Sequence, residues 1–330
     1  MKGKKEEIHD MSNEDMRLGM SIVVPFLNEA EGILAFCETL DAYAKTLSFP
    51  LELIFVNDGS VDDTVDRLRT YTFRNIKHTL LINLSRNYGS HAAIRAGLMH
   101  ARYDICTWIG SDLQEPLELI PESYAKLQEG YDVVYIEKRT VQVSKANRAF
   151  SLIYSKLMQK YAVKNYSSGG ISTIVFNKKI RDYLNANIES NSSIMLQIMD
   201  SGFRSTTLSL DFHERSAGVS KWTLPKKIKL FIDSFVSFSF APIRLVSIIG
   251  ILIFILGIVV GLIAIINKIC NPNVPVGYST LVSIIAIGFG ITNISLGIIA
   301  EYLWRAYDAA RKRPCFIVSD VIDLQQVQTK

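Results

Sequence analysis

Polar and charged residues collect at four points where a short apolar run gives way to a loop. The first is Pro25-Phe26-Leu27-Asn28-Glu29 and the second is Asn57-Asp58-Gly59-Ser60, with Asp62 and Asp63 behind it. The third is Ser85-Arg86-Asn87-Tyr88-Gly89, and the fourth is Gly110-Ser111-Asp112-Leu113-Gln114-Glu115-Pro116. These side chains suit a nucleotide held through a divalent cation. Asp112 offers a carboxylate and Gln114 an amide oxygen, the hard donors that Mg2+ and Mn2+ prefer. Neither a Walker A loop nor a GxGxxG turn follows the first run, so nucleoside triphosphate hydrolysis and nicotinamide binding have no basis in the sequence. Each loop by itself also fits an ordinary turn or helix cap; Ser60 with Asp63, for instance, resembles a capping box. Repetition at four run ends is what favours a site.

The elements that must position these loops alternate in type. β-rich runs at 20–25, 51–57, 79–84, 104–110 and 132–136 are separated by helical patterns at 30–47, 62–71, 90–101 and 117–129. That order predicts an α/β domain with a mostly parallel sheet and helices on both faces. Ligands of such sheets bind beyond the carboxyl ends of the strands, which is where the four loops fall.

Composition bounds the rest. The chain has 330 residues, 48% hydrophobic and 21% charged, which excludes a disordered chain. A formal net charge of +4 gives no support for nucleic-acid binding. Mean hydropathy of +0.19 suits a soluble domain joined to a few membrane spans. Cys37, Cys106, Cys270 and Cys315 lie far apart and match neither a zinc site nor a disulfide framework. Residues 1–18 are polar, lack an apolar core of the kind a secretory signal carries, and are expected to form a solvated tail.

Two uncharged stretches, 245–267 and 269–300, are each long enough to cross a bilayer, and Asn271, Pro272, Asn273, Pro275 and Gly277 between them predict a short loop. Lys226, Lys227, Lys229 and Arg244 precede the first span, and Arg305, Arg311, Lys312 and Arg313 follow the second. This bias predicts both ends on the cytoplasmic side. Ile228, Phe231, Ile232, Phe235 and Phe238 recur at helical spacing just before the first span, which predicts an amphipathic helix at the membrane surface; a core helix is the alternative. Trp304 and Tyr307 are expected to anchor the far end of the second span. The expected division is a tail at 1–18, a catalytic domain at 19–222, an interfacial helix at 223–242, two spans within 243–304 (about 245–267 and 278–300), and a cytoplasmic tail at 305–330.

SIVVPFLNEAEGI, FVNDGSVDDT, LSRNYGSHAAIRAG and SDLQEP, in this order and spacing, resemble the family 2 glycosyltransferases of GT-A fold. ERSAGVSKW, the membrane hairpin and the GIIAEYLWRAY segment narrow the resemblance to the polyprenyl-phosphate glycosyltransferases, over roughly residues 20–318. The resemblance implies inverting transfer of a hexose from a nucleotide sugar, a UDP-hexose foremost, to polyprenyl phosphate, with Mg2+ or Mn2+ as cofactor. It implies donor contacts at Pro25, Asn28, Glu29, Asp58, Arg86 and Asn87, metal and diphosphate contacts at Asp112 and Gln114, and acceptor-phosphate contacts at Arg215 and Lys221. Those two bases also fit plain attraction to anionic lipid. An integral protein of the cell (inner) membrane with a cytoplasmic catalytic domain is implied as well; spans of this kind often pack against copies, which leaves a homo-oligomer open.

The chain departs from the family pattern twice. Gly110 stands where the family usually has an aspartate, so the motif reads GSDLQ. Ser172 stands where the family carries an aspartate proposed as the catalytic base. An acceptor that is a phosphate monoester tolerates the second loss, because its second pKa lies near about 6 and much of it is already the dianion at neutral pH. Two other classes stay open: a family 2 enzyme acting on a saccharide or another lipid, and a non-catalytic membrane-bound relative. His91 is expected at the surface or behind the site, and His213 is expected to be structural.

Overall fold

The computed structural model describes residues 19–139, 156, 159–160, 171–189, 193–212, 241–270, 277–311 and 313–327. The first half alternates as expected: β1 (Met20–Phe26), α1 (Ile33–Ala44), β2 (Leu51–Asn57), α2 (Thr64–Thr70), β3 (His78–Leu84), α3 (Ser90–Leu98), β4 (Ile105–Trp108), α4 (Leu119–Gln128) and β5 (Val133–Lys138). Then come β6 (Ile171–Phe176), α5 (Lys178–Ala186), α6 (Ile194–Asp200) and β7 (Ser205–Leu210). Two long helices, α7 (Ala241–Cys270) and α8 (Tyr278–Arg311), precede β8 (Val318–Asp323) and α9 (Leu324–Val327).

The described strands form one sheet in the order β7-β5-β6-β4-β1-β2-β3-β8. The centre, β4-β1-β2-β3, is parallel. β6 runs antiparallel to both β4 and β5, β7 runs parallel to β5, and β8 closes the other edge antiparallel to β3. All seven residues of β2, Leu-Glu-Leu-Ile-Phe-Val-Asn, are buried. A strand covered on both faces has no solvent side and so shows no polar alternation. Leu53 and Phe55 pack with Ile22, Phe36, Leu40 and Leu68 on one face, while Ile54 and Val56 pack with Val23, Ala93, Ala96 and Ile180 on the other.

Buried polar groups at the amino ends of the strands are structural. The Ser21 hydroxyl donates to Glu52 at 2.5 Å, and the N–H groups of Arg102 and Tyr103 reach Glu52 and Ser21 at 2.8 and 3.0 Å. This fixes the entry to β4 from below and leaves the carboxyl ends to the site loops. The thiols of Cys37 and Cys106 are buried, and burial raises the pKa of both.

α7 and α8 pack against one another and have 30 and 34 residues, about 45 and 51 Å at about 1.5 Å per residue. Within α8, Ile287–Arg311 is long and apolar enough to cross a membrane. Both helices expose large apolar side chains, among them Ile251, Leu252, Leu262, Phe289 and Leu296. Trp304 and Tyr307 are exposed on α8 with ring centroids 5.9 Å apart. The stretch expected as a tail from 305 onward instead extends α8 to Arg311 and then returns to the sheet as β8. The expected tail at 1–18, the interfacial pattern up to 240 and the loop at 271–276 lie outside the described residues.

Candidate active site

The four loops meet at the carboxyl edge of the parallel strands, and backbone N–H groups tie the first three together. Asn28 N–H donates to Ser60 Oγ at 3.0 Å, Val61 N–H returns to Asn28 Oδ1 at 2.9 Å, and Glu29 N–H reaches Thr64 Oγ1 at 2.9 Å. Asn28 adopts a left-handed backbone, φ 53°, which asparagine tolerates better than most residues. Ser60 is therefore no helix cap. The N-cap of α2 is Asp63, without a side-chain cap bond, and Asp62 accepts both the N–H and the hydroxyl of Thr64, at 3.2 and 2.5 Å.

Asp58 is buried, and its two carboxylate oxygens accept the N–H groups of Tyr88 and Gly89 at 2.7 and 2.9 Å. Burial pushes its pKa up, and those two hydrogen bonds pull against the rise without cancelling it. Its visible role is to hold the third loop against the second. Gly59 sets the same contact: it has φ +80°, and a Cβ there would stand 2.7 Å from the backbone of Arg86 and Asn87. Arg86 and Asn87 are thereby presented exposed at the sheet edge, with the Arg86 guanidinium 4.2 Å from the centroid of the Tyr88 ring. Pro25 lies within β1, between the buried Val24 and Phe26.

The fourth loop is the acidic one. Gln114 N–H points at Asp112 Oδ1 at 3.4 Å, and Leu113 between them is left-handed at φ 53°. Glu115, which carried no role in the sequence reading, is drawn in beside them. Burial and then the neighbouring Asp112 charge hold its carboxyl above the usual carboxylate range; the N–H groups of Glu115 and Gly110 and the Lys138 charge offset part of this. Lys138, at the carboxyl end of β5, also escaped the sequence reading; its ammonium lies 4.7 Å from the centroid of the Phe212 ring. The only sequence signal for Glu115 and Lys138 was position just past a strand, which surface residues share. Asp112 and Gln114 are half-buried. Among the described residues no three His, Cys, Asp or Glu side chains gather as a metal cluster.

Ser172 is brought to the same edge. β6 runs antiparallel, so its first residues lie beside the end of β4, where the Thr173 hydroxyl donates to Trp108 O at 2.5 Å. The β5–β6 register shifts between Ile136 and Glu137, opposite Thr173 and Ile171, which leaves Ser172 at the irregularity. His91 opens α3 with its Nδ1 buried and unpartnered, so it faces inward; burial and then the Arg95 charge hold its pKa low. Arg215, Lys221 and His213 lie outside the described residues.

Residues 21–191 match glycosyl transferase family 2. A relative from Shewanella sediminis, "Undecaprenyl-phosphate 4-deoxy-4-formamido-L-arabinose transferase", is 33% identical over 92% of this chain and 92% of its own. "Uncharacterized glycosyltransferase YkcC" of Bacillus subtilis is 33% identical over 90% of this chain and 92% of its own. Among solved structures, glucosyl-3-phosphoglycerate synthase from Mycobacterium tuberculosis is similar with a TM-score of 0.47 and 16% identity, covering 66% of this chain and 76% of that one. The family match over more than half of the chain and the two relatives at 33% identity lead to one conclusion: the chain belongs to glycosyl transferase family 2 and is a glycosyltransferase.

Proposed function

We propose that the protein transfers a sugar from a nucleotide-sugar donor to polyprenyl phosphate at the cytoplasmic face of the cell (inner) membrane. The observation that carries this is likeness along nearly the whole chain, span region included, to relatives named as undecaprenyl-phosphate sugar transferases. Those names specify a formamido-arabinose, so a UDP-hexose and a UDP-formamido-arabinose are the donors to compare.

Pro25, Asn28 and Glu29 would line the base and ribose, and Arg86 and Asn87 would complete the donor pocket from the third loop. Asp58 would act from behind by fixing that loop. The oxygen donors of the fourth loop fit a divalent cation: Asp112 and Gln114 are hard ligands, and the buried Glu115 Oε2 beside them lacks a hydrogen-bond partner. Mg2+ or Mn2+ held there would supply charge neutralisation to the departing nucleoside diphosphate.

Arg215 and Lys221 would hold the lipid phosphate through charge-assisted hydrogen bonds. An oxygen of the phosphate dianion attacks the anomeric carbon; the new C–O bond forms as the bond to the donor diphosphate breaks, and the leaving group keeps the electron pair. One displacement inverts the anomeric configuration. The nucleophile brings no proton that must be removed, so the chemistry asks the protein for position and electrostatics and tolerates a serine at 172.

The test is mass spectrometry of lipids from membranes containing the protein, given polyprenyl phosphate and a panel of nucleotide sugars. A polyprenyl-phosphate sugar formed from one donor is expected. A glycosylated saccharide or other lipid instead would select the second acceptor class, and no product from any donor would count for a non-catalytic relative.

A further inference from the structure

Two carboxylates converge over Gly110. A Cβ on Gly110 would stand 3.0 Å from Asp112 Oδ1 and 3.5 Å from Glu115 Oε2. Glu115 Oε2 is buried and has no hydrogen-bond partner. Such an oxygen is rare in a folded protein, because burying an unpaired anionic group is expensive. Glu52 also leaves one buried oxygen, Oε1, without a hydrogen bond, but there the Arg102 Nε stands 3.5 Å away as a countercharge, while Oε2 takes the Ser21 hydroxyl and the Arg102 N–H. The Glu115 carboxylate takes the N–H groups of Gly110 and of Glu115 itself, yet its Oε2 is left bare beside a second anion, Asp112, with Lys138 as the opposing charge and its ammonium also over the Phe212 ring. A site that keeps a bare buried oxygen next to a like charge is arranged for a cation.

We propose that Glu115 is a second acidic ligand of the divalent cation held by Asp112 and Gln114, and that the absent side chain at Gly110 leaves the space into which its carboxylate faces. The charge expected at position 110 is then delivered from position 115. This rests on the reading of Asp112 and Gln114 as the cation site.

The experiment uses the detergent-solubilised full chain with UDP present and Mn2+ as the probe. Free Mn2+ is followed by electron paramagnetic resonance, and thermal unfolding is recorded with and without the metal. Native protein is expected to bind Mn2+ and to melt higher with it. Glu115→Gln is expected to weaken Mn2+ binding at least about ten-fold, while melting without metal at or above the native temperature, because a buried charge has been removed. Glu115→Asp, which keeps the charge but shortens its reach, is the second variant should the first yield no folded protein, and the same weakening is expected of it. Native-like Mn2+ affinity in the Glu115 variant, or a lowered metal-free melting temperature with affinity unchanged, overturns the proposal. Asp112→Asn tells the two failures apart. If it abolishes binding while the Glu115 variant does not, only the role of Glu115 is wrong. If native protein does not bind Mn2+, or Asp112→Asn binds it as well as native, the cation site falls and the role of Glu115 with it.

Discussion

At the scale of single residues, the site separates side chains that face the ligand space from those that hold the loops. Under the proposed function Asp112 belongs to the first kind. Asp112→Asn is expected to keep the fold, by circular dichroism, and to lower turnover by about 100-fold or more, since an electrostatic contact made as charge develops on the leaving group is lost. Asp62 belongs to the second. Burial pushes its carboxyl up, but the Thr64 hydroxyl and N–H, helped by Ala30 N–H, outweigh burial and hold it below its ordinary range. A carboxyl depressed on folding adds stability above its unfolded pKa of about 3.9, and that stability is lost as pH falls through the folded value. Urea unfolding between neutral pH and pH about 2 should therefore show an acid-side decline that Asp62→Asn makes shallower. An unchanged slope would mean that the Asp62–Thr64 bonds do not persist in solution.

At the scale of elements, the second and third loops work as one piece. Gly59 touches the backbone of Arg86 and Asn87, and Asp58 ties down the N–H groups of Tyr88 and Gly89. Gly59→Ala would both strain a left-handed residue and force the loops apart. The expected result is a loss of about 2 kcal/mol in urea unfolding, with a raised KM for the nucleotide sugar because Arg86 and Asn87 move with the loop. A native KM in that variant would remove the third loop from the donor pocket. The same loops show why the capping-box alternative at Ser60 fails. Local spacing specifies a hydroxyl near a helix start, but the partner that reaches it, Asn28 N–H, comes from 32 residues away.

At the scale of the whole molecule, β8 constrains the topology. Residues 20–26 and 318–323 belong to one sheet, so the chain leaves the domain and returns to it on the same side of any membrane. If α8 crosses, a second crossing must precede it, and the 30-residue α7 has the length for it. A reporter inserted near Asn273 and one fused after Lys330 should then register on opposite sides, with the second on the cytoplasmic side. The same side for both would exclude the hairpin.

The sequence alone determined the central α/β alternation, because buried parallel strands such as β2 need a continuous apolar middle, here Leu53 to Val56, and it determined the positions of the four polar strand ends. It also determined two stretches too apolar and too long for ordinary core helices. β6, β7 and β8 were not legible. Ser-Thr-Thr-Leu-Ser-Leu and Val-Ser-Asp-Val-Ile-Asp form strands at the two edges of the described sheet, where one side has no partner strand among the described residues and composition is free to be polar. Tertiary structure alone decided that Asp58 faces backbone, that Ser172 joins the edge of β4, and that Glu115 turns inward beside Asp112. Each depends on the approach of segments distant in sequence or on one left-handed turn. A side chain's type names the chemistry available to it, and only the neighbours that folding supplies decide whether that chemistry goes to the scaffold or to a ligand.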